Sequence, residues 1–367
     1  MQKFLKINRD SKIYILAPAG VVTGGVELLH QLCDVLNANT LNANIFYTGS
    51  SPHEIPQEYR KYNIKLTPDI EDNENNVLVL PEVSFDAIEN IKNIQVLVWW
   101  LSVDNYFYHF YGSFTDNLRF NTVFCIKRLI RETVNKFLFR KPYPKFSLSK
   151  IRNSERIICH AYQSEYANYF LHKNGINNTV HLGDYINDDY VLFDGSKQKK
   201  DIIIYNPKKG IRFTKKLIKA SPDLTWVPIQ NMNRSQVKEV MDTAKVYVDF
   251  GYHPGKDRMP REAALCGCCI ITGKLGAAGF FEDIAIDDSK YKFNQSRADI
   301  PLIIKRIRSV LLDFDTITHD FDNYREKIRS EKAEFEQDAV KLMRIQNGGG
   351  YNCRVVCHNT AFFRLCA

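Results

Sequence analysis

The sequence predicts an α/β chain of two similar doubly wound domains facing a cleft. Three observations carry that reading. Short apolar, strand-like runs alternate with helical patterns along most of the 367 residues. A polar stretch, NDDYVLFDGSKQKK (187–200), divides the alternation into two series of similar length. Near the end of the second series, Asp249 to Gly279 sets His253, Lys256, Asp257, Arg258, Arg261 and Glu262 between two strand-like runs, ahead of a glycine-rich turn. An α/β domain presents a ligand site in this way, at the carboxyl ends of its strands. The length suits two domains, and 44% hydrophobic residues suffice for two cores.

In chain order, KIYILAPAG (12–20) reads as a buried strand, VVTGG as a turn, and VELLHQLCDVLNA as a helix with Val26, Leu29, Leu32, Val35 and Leu36 on one face. Strands follow at 43–49, 76–83, 93–103, 156–163 and 178–186. After the linker, DIIIYNPKKG (201–210) is a strand and turn, and RFTKKLIKA a helix. LTWVPIQNM (224–232) is a strand, SQVKEVMDTA a helix, and KVYVDFG (245–251) the strand that enters the polar loop. REAALCG is a short helix and CCIITG (268–273) a strand; helices at 300–314 and 323–345 complete the series. The implied divisions are an N-terminal domain over 1–186 with a basic insertion at about 119–156, the linker, a C-terminal domain over 201–345, and an atypical tail over 346–367.

Composition narrows the class. No run of about 18 apolar residues is present to span a bilayer. The N-terminal stretch enters a strand without a small-residue cleavage site, so no secretory signal is expected. Nine cysteines lack a disulfide framework, and Cys159, Cys268 and Cys269 sit inside apolar runs, which points to a reducing, cytoplasmic setting. Cys353, Cys357, Cys366 and His358 in the tail have no recognised zinc spacing, so no metal is expected there. Of the net charge of +8, Arg119 to Arg156 hold +9, eleven Lys/Arg against Glu132 and Glu155. Within that segment Phe120, Val123, Ile126, Ile130, Val134 and Phe137 make an apolar stripe flanked by Lys127, Arg128, Arg131, Lys136 and Arg140. That is the form of a helix lying on an anionic membrane surface, or of a core-packed helix with a solvated basic side. No nucleic-acid module surrounds it.

Four places can do chemistry. Thr23-Gly24-Gly25 precedes a helix N-terminus, where glycines let backbone approach an anion or simply make a tight turn. Asn206-Pro207-Lys208-Lys209-Gly210 leaves a strand end with two lysines that suit a phosphate, or that decorate a β-turn. Asp104, after VLVWW, is a candidate general base for an acceptor hydroxyl or a helix cap. In the polar loop, Lys256, Arg258 and Arg261 suit a diphosphate, and Glu262 a pair of sugar hydroxyls, unless the glutamate caps its helix and pairs with an arginine. His160 reads as a core histidine; His253 is better placed, beside the basic loop.

With these residues in view, the chain resembles the GT-B glycosyltransferases, in the broad group of bacterial group-1 sugar transferases of surface-polysaccharide synthesis. REAALCGCCIIT resembles the second half of the family's donor motif, so Glu262 matches the glutamate that holds the nucleotide ribose. Eight positions earlier the family has a second glutamate, and this chain has Pro254; His253 or Asp257 then stands in for the sugar contact. Asn206 to Gly210 resembles the diphosphate segment, and Gly24-Gly25 the N-domain glycine loop. The resemblance implies two Rossmann-like domains, a nucleotide-sugar donor, a glycan or lipid-linked acceptor, no cofactor and no catalytic metal. It implies a cytoplasmic enzyme, peripheral on the inner face of the plasma membrane. The alternative, drawn from Pro254, is a non-catalytic subunit scaffolding a glycan-assembly complex. A dinucleotide oxidoreductase is disfavoured by the missing G-x-G-x-x-G.

Overall fold

The computed structural model describes residues 4–49, 54–109, 146–191 and 197–344, together with 115, 116, 126 and 133. Two all-parallel sheets organise them. The first has six strands in the order β2-β1-β3-β4-β5-β6: β1 (Lys12–Pro18), β2 (Asn42–Thr48), β3 (Val77–Pro81), β4 (Gln95–Trp100), β5 (Ile157–Tyr162) and β6 (Thr179–His181). The second has four, in the order β10-β9-β7-β8: β7 (Lys200–Tyr205), β8 (Thr225–Pro228), β9 (Ala244–Asp249) and β10 (Cys269–Thr272). The helices are α1 (Gly24–Ala38), α2 (Val103–Tyr108), α3 (Leu148–Arg152), α4 (Glu165–Lys173), α5 (Asp188–Val191) and α6 (Ile211–Ala220). They continue as α7 (Arg234–Thr243), α8 (Arg258–Leu265), α9 (Asp288–Tyr291), α10 (Ile300–Leu312), α11 (Phe314–Ile317) and α12 (Asp322–Leu342).

The unbroken apolar runs exist because the central strands are covered on both faces, and every residue of β3 and β4 is buried. Period-two alternation sorts their side chains into two layers. Ile13, Ile15 and Trp99 pack into one layer with α1, whereas Tyr14, Leu16 and Trp100 pack into the other with Phe85 and Tyr106. The Nε1–H of Trp100 donates to Nδ1 of His160 at 3.0 Å, and burial lowers that imidazole to about 3, so His160 is a satisfied core histidine. The second sheet has its own core around Ile203, Tyr247, Ile270 and Ile303. Cys33, Cys159, Cys266, Cys268 and Cys269 are free and buried.

The long charged helix α12 joins the cores of the two sheets. Its Tyr324 and Ile328 belong to the second core, whereas Phe335, Ala339 and, just past its end, Met343 belong to the first. Phe335 stacks on Trp99, with ring centroids 6.1 Å apart.

Some local expectations change. The strand expected over 178–186 is only Thr179–His181. The polar stretch read as a linker begins with Asn187 packed inward and α5; residues 192–196 lie outside the described set, and β7 starts at Lys200. The helix expected from Arg261 begins earlier, at Arg258, with Pro260 in the first turn where its missing N–H is harmless. Of the basic amphipathic segment, Ile126 is described and about half exposed, but Phe120, Val123, Ile130, Val134, Phe137 and the cations Lys127 to Arg140 lie outside the described residues, as does the tail from 345. Among the described residues no helix is long and apolar enough to cross a membrane.

Candidate active site

The carboxyl ends of the two sheets face each other, and the loops leaving them carry nearly every candidate residue. Thr23 caps α1 by accepting from the Val26 N–H, so Gly24 and Gly25 are the first residues of that helix. Gly24 is required by proximity: a Cβ there would lie 2.9 Å from Cδ of Arg258, across the cleft. Gly255 is required likewise, because its Cβ would come 2.4 Å from the Leu101 carbonyl oxygen. The Val103 N–H donates to the Pro254 carbonyl at 3.1 Å, so position 254 is a backbone contact between the two halves.

Beside this contact lies a pocket of about 510 Å³, lined by Gly24, Asn187, Tyr190, Arg234, Arg258 and Glu262, among others. Arg258 Nη1 sits 2.6 Å from Glu27 Oε2, and its Nε is 3.5 Å from Glu262 Oε1. Burial pushes the Glu27 carboxyl up, but Arg258, Tyr62 and Lys61 outweigh it and hold Glu27 below the ordinary range. Burial raises Glu262 against the pull of Arg258, Arg261 and Arg234, so its net direction is upward. A buried carboxylate that gains a further donor is therefore stabilised on binding. Arg234, on the first turn of α7, reaches within 3.8 Å of Glu27. A second groove, about 580 Å³ between α6 and α10, is lined at the far end of α6 by Ala220 and lies away from the strand ends.

A second cluster lies deeper. Lys209 Nζ is 2.6 Å from Asp257 Oδ2, His253 Nδ1 is 2.9 Å from the same oxygen, and His253 Nε2 is 3.6 Å from Asp249 Oδ1. Burial raises Asp257, but His253 and Lys209 outweigh it and hold the carboxyl low. Asp249, His253 and Asp257 could each offer one atom to a metal ion, all within 4.8 Å of one another. Their carboxylates are already engaged by the Lys209 ammonium, the Gly251 N–H and the Tyr247 hydroxyl. Asn206 turns its own loop, its Oδ1 accepting from the Lys208 N–H at 2.9 Å, and the Lys208 side chain is in solvent.

Asp104, in the first turn of α2, faces this cluster from the other half. It is 4% exposed, and its Oδ1 has no hydrogen-bond partner among the described residues. Burial raises its carboxyl to about 7, with the Lys209 charge opposing and the Asp257 charge adding. The loop that positions it is fixed by the Leu101 N–H, which donates to buried Glu82 at 2.9 Å.

The expectation that Lys256 and Arg261 face a diphosphate is corrected. Lys256 Nζ lies 2.7 Å from Glu331 Oε1. Arg261 is fully buried, with Nη1 2.6 Å from Glu331 Oε2 and Nη2 2.6 Å from Asp184 Oδ2. Both cations are turned toward α12 and the end of the first sheet, because two buried carboxylates there need neutralising. Sequence reading missed Asn187, Tyr190 and Arg234 as pocket residues, and named Glu27 beside the glycine turn without giving it a partner. The Asn233 capping box placed the start of α7 within reach of sequence reasoning, but not the cleft it opens on.

No protein-family model matches the chain. It is 24% identical over 290 residues to an α-1,6-glucosyltransferase of Actinobacillus pleuropneumoniae serotype 7, covering 77% of this chain and 78% of that protein. Its fold is similar to that of sucrose-phosphate synthase from Thermosynechococcus elongatus, with a TM-score of 0.56 at 12% identity over 91% of this chain and 98% of that one. It is similar also to HepE of Anabaena, solved in complex with UDP-glucose, with a TM-score of 0.56 at 10% identity over 90% and 99%. Two Rossmann-like halves with strand ends meeting across a cleft, matched over nine-tenths of the chain, give this protein the fold of the GT-B glycosyltransferases.

Proposed function

We propose that the protein is a glycosyltransferase that moves a sugar from a nucleotide-activated donor to a hydroxyl of a growing surface glycan or lipid-linked acceptor. The observation that carries the reading is that Glu262, Arg258 and the Gly24 turn share one pocket at the strand ends of both halves. Glu262 would take the ribose hydroxyls, and Arg258 and Arg234 the diphosphate, exchanging their present carboxylate partner for phosphate oxygens. Asp104 would act on the acceptor. The acceptor oxygen bonds to the anomeric carbon, its proton passes to Asp104, and the glycosyl–phosphate bond breaks with its electron pair leaving on the nucleoside diphosphate. Arg258, Arg234 and Lys209 would stabilise that growing negative charge without a metal ion. The buried free oxygen of Asp104 favours turnover over a purely scaffolding role. The basic segment over 119–156 would bring the enzyme to the cytoplasmic face of an anionic membrane.

UDP-glucose, present in the HepE complex, is the first donor to test, and the name of the glucosyltransferase relative points to the same sugar. Calorimetry and thermal protection with UDP-, GDP-, dTDP- and CMP-linked sugars should show one nucleotide class binding and raising the melting temperature. Folded protein that binds none of them would remove the reading.

A further inference from the structure

Above Asp104, aromatic side chains from four separate segments meet across the cleft. Tyr108 ends α2, Tyr166 and Tyr169 lie on α4, Tyr252 follows β9, and Phe280 follows β10. The Tyr166 and Tyr252 hydroxyls are 2.5 Å apart, and their rings meet edge-on at 6.2 Å and 81°. Phe280 packs between Tyr166 at 6.1 Å and Tyr169 at 5.8 Å. The group is held firmly, since the Glu165 and Tyr166 N–H groups at the start of α4 donate to buried Asp283 of the other half at 2.8 and 3.1 Å. Yet it stays open to solvent: Tyr108 is 52% exposed and Tyr252 39%. Burial, then the hydroxyl of Tyr166 and the charge of Asp104, set the balance at Tyr252, whose phenol is raised to about 12. Asp104 acts on Tyr108 and Tyr166 in the same upward direction. Tyr108 lies one turn on from Asp104 in α2, and the Val103 N–H to Pro254 carbonyl bond holds the Tyr252 loop against the start of that helix.

Solvent-exposed aromatics gathered on two halves of a molecule mark a binding surface. The polar centre of this one decides its ligand. The Tyr166 and Tyr252 hydroxyls pair with each other, and in the same part of the cleft Asp104 keeps one buried oxygen unpartnered. A pyranose matches that layout: its axial C–H face carries partial positive charge and lies on an aromatic ring face, and its rim presents hydroxyls. A hydrocarbon chain would strip water from the exposed tyrosines Tyr108 and Tyr252 without replacing its hydrogen bonds, at a cost.

We propose that Tyr108, Tyr166 and Tyr252 over Asp104 form the acceptor subsite, that it takes a pyranose ring stacked on Tyr252, and that one hydroxyl of that ring reaches the free oxygen of Asp104. This rests on the glycosyl-transfer reading, and goes beyond it by assigning a sugar, rather than a lipid phosphate, to the acceptor position. The test uses the full chain with UDP-glucose and a panel of methyl glycosides and disaccharides, following UDP release. At least one sugar should accelerate release. Tyr252→Ala should raise the KM for that sugar by about tenfold, the value of one lost aromatic contact, and leave the KM for UDP-glucose within about twofold. Tyr252→Phe, which keeps the ring, should restore most of the acceptor affinity. An unchanged acceptor KM in Tyr252→Ala, or no response to any sugar while UDP-glucose binds, overturns the assignment. So does Tyr252→Ala losing binding to phosphatidylglycerol vesicles with acceptor kinetics intact, which would make the surface a lipid contact. Failure to bind UDP-glucose or any other sugar nucleotide would instead fault the donor reading.

Discussion

Replacing Asp104 by Asn keeps the side chain's shape, removes its charge, and pulls apart two properties that burial ties together. Burial holds the carboxyl at about 7, against an ordinary 3.8. The ionised fraction is then about a tenth at pH 6 and about nine-tenths at pH 8. A reaction that uses Asp104 as its base should therefore rise about tenfold per pH unit below 7 and level off above. Asp104→Asn should lower kcat by about 10²–10⁴-fold. The KM for UDP-glucose should shift little, because Asp104 does not line the nucleotide pocket. Stability moves the other way. Because the folded carboxyl titrates above the unfolded one, the folded state holds the extra proton between about pH 4 and 7. The stability that goes with it is complete below that window and lost as pH rises through it. The gap from 3.8 to about 7 amounts to about 4 kcal/mol. The amide keeps part of this penalty through its own buried polar atoms. Asp104→Asn should thus exceed wild type by about 1–3 kcal/mol at pH 8 and match it near pH 4. Urea titrations at both pH values, with UDP release followed across the range, read both quantities. A wild-type rate that is flat between pH 6 and 8, or a variant retaining more than about a tenth of kcat, would refute the reasoning.

Other expectations follow from the same geometry. Arg261→Met leaves Asp184 and Glu331 buried without their shared cation and should cost about 3–5 kcal/mol; if nucleotide affinity of the folded protein also fell, Arg261 would belong to the ligand site after all. Glu262→Ala should weaken UDP-glucose by about 1.5–3 kcal/mol in calorimetry, and unchanged heat of binding would take Glu262 out of the pocket. Gly255→Ala drives a Cβ against the Leu101 carbonyl and should lower stability by about 1–3 kcal/mol; a variant that melts with wild type would show that the two loops part freely.

The layered architecture was legible because apolar runs of strand length, alternating with helical periodicity, leave few options beyond parallel sheets covered on both faces. That Glu262 and the Gly24 turn lie at the strand ends was legible too, since a short helix between strands and a glycine pair at a helix start carry their own signal. The fate of the cations was not. Lys256, Arg258 and Arg261 lie within six positions and look alike in sequence, but their directions are set by carboxylates far away: Glu331 on α12, Glu27 on α1 and Asp184 past β6. Residue type gives the charge and not the partner. Asp104 was visible only as a lone carboxylate, because its burial depends on the loops of the other half.

The placement of α12 bears on how the protein is made. Phe335, Ala339 and Met343 complete a core whose last strand ends at His181, 162 residues earlier. A ribosome adding about 5–20 residues per second leaves that interval open for on the order of ten to thirty seconds. Throughout it, the face around Trp99 and Tyr185 of the nascent first sheet lacks its cover. An N-terminal half synthesised alone would keep that apolar face bare. The complete chain, with one helix built into both cores, should unfold in a single cooperative step.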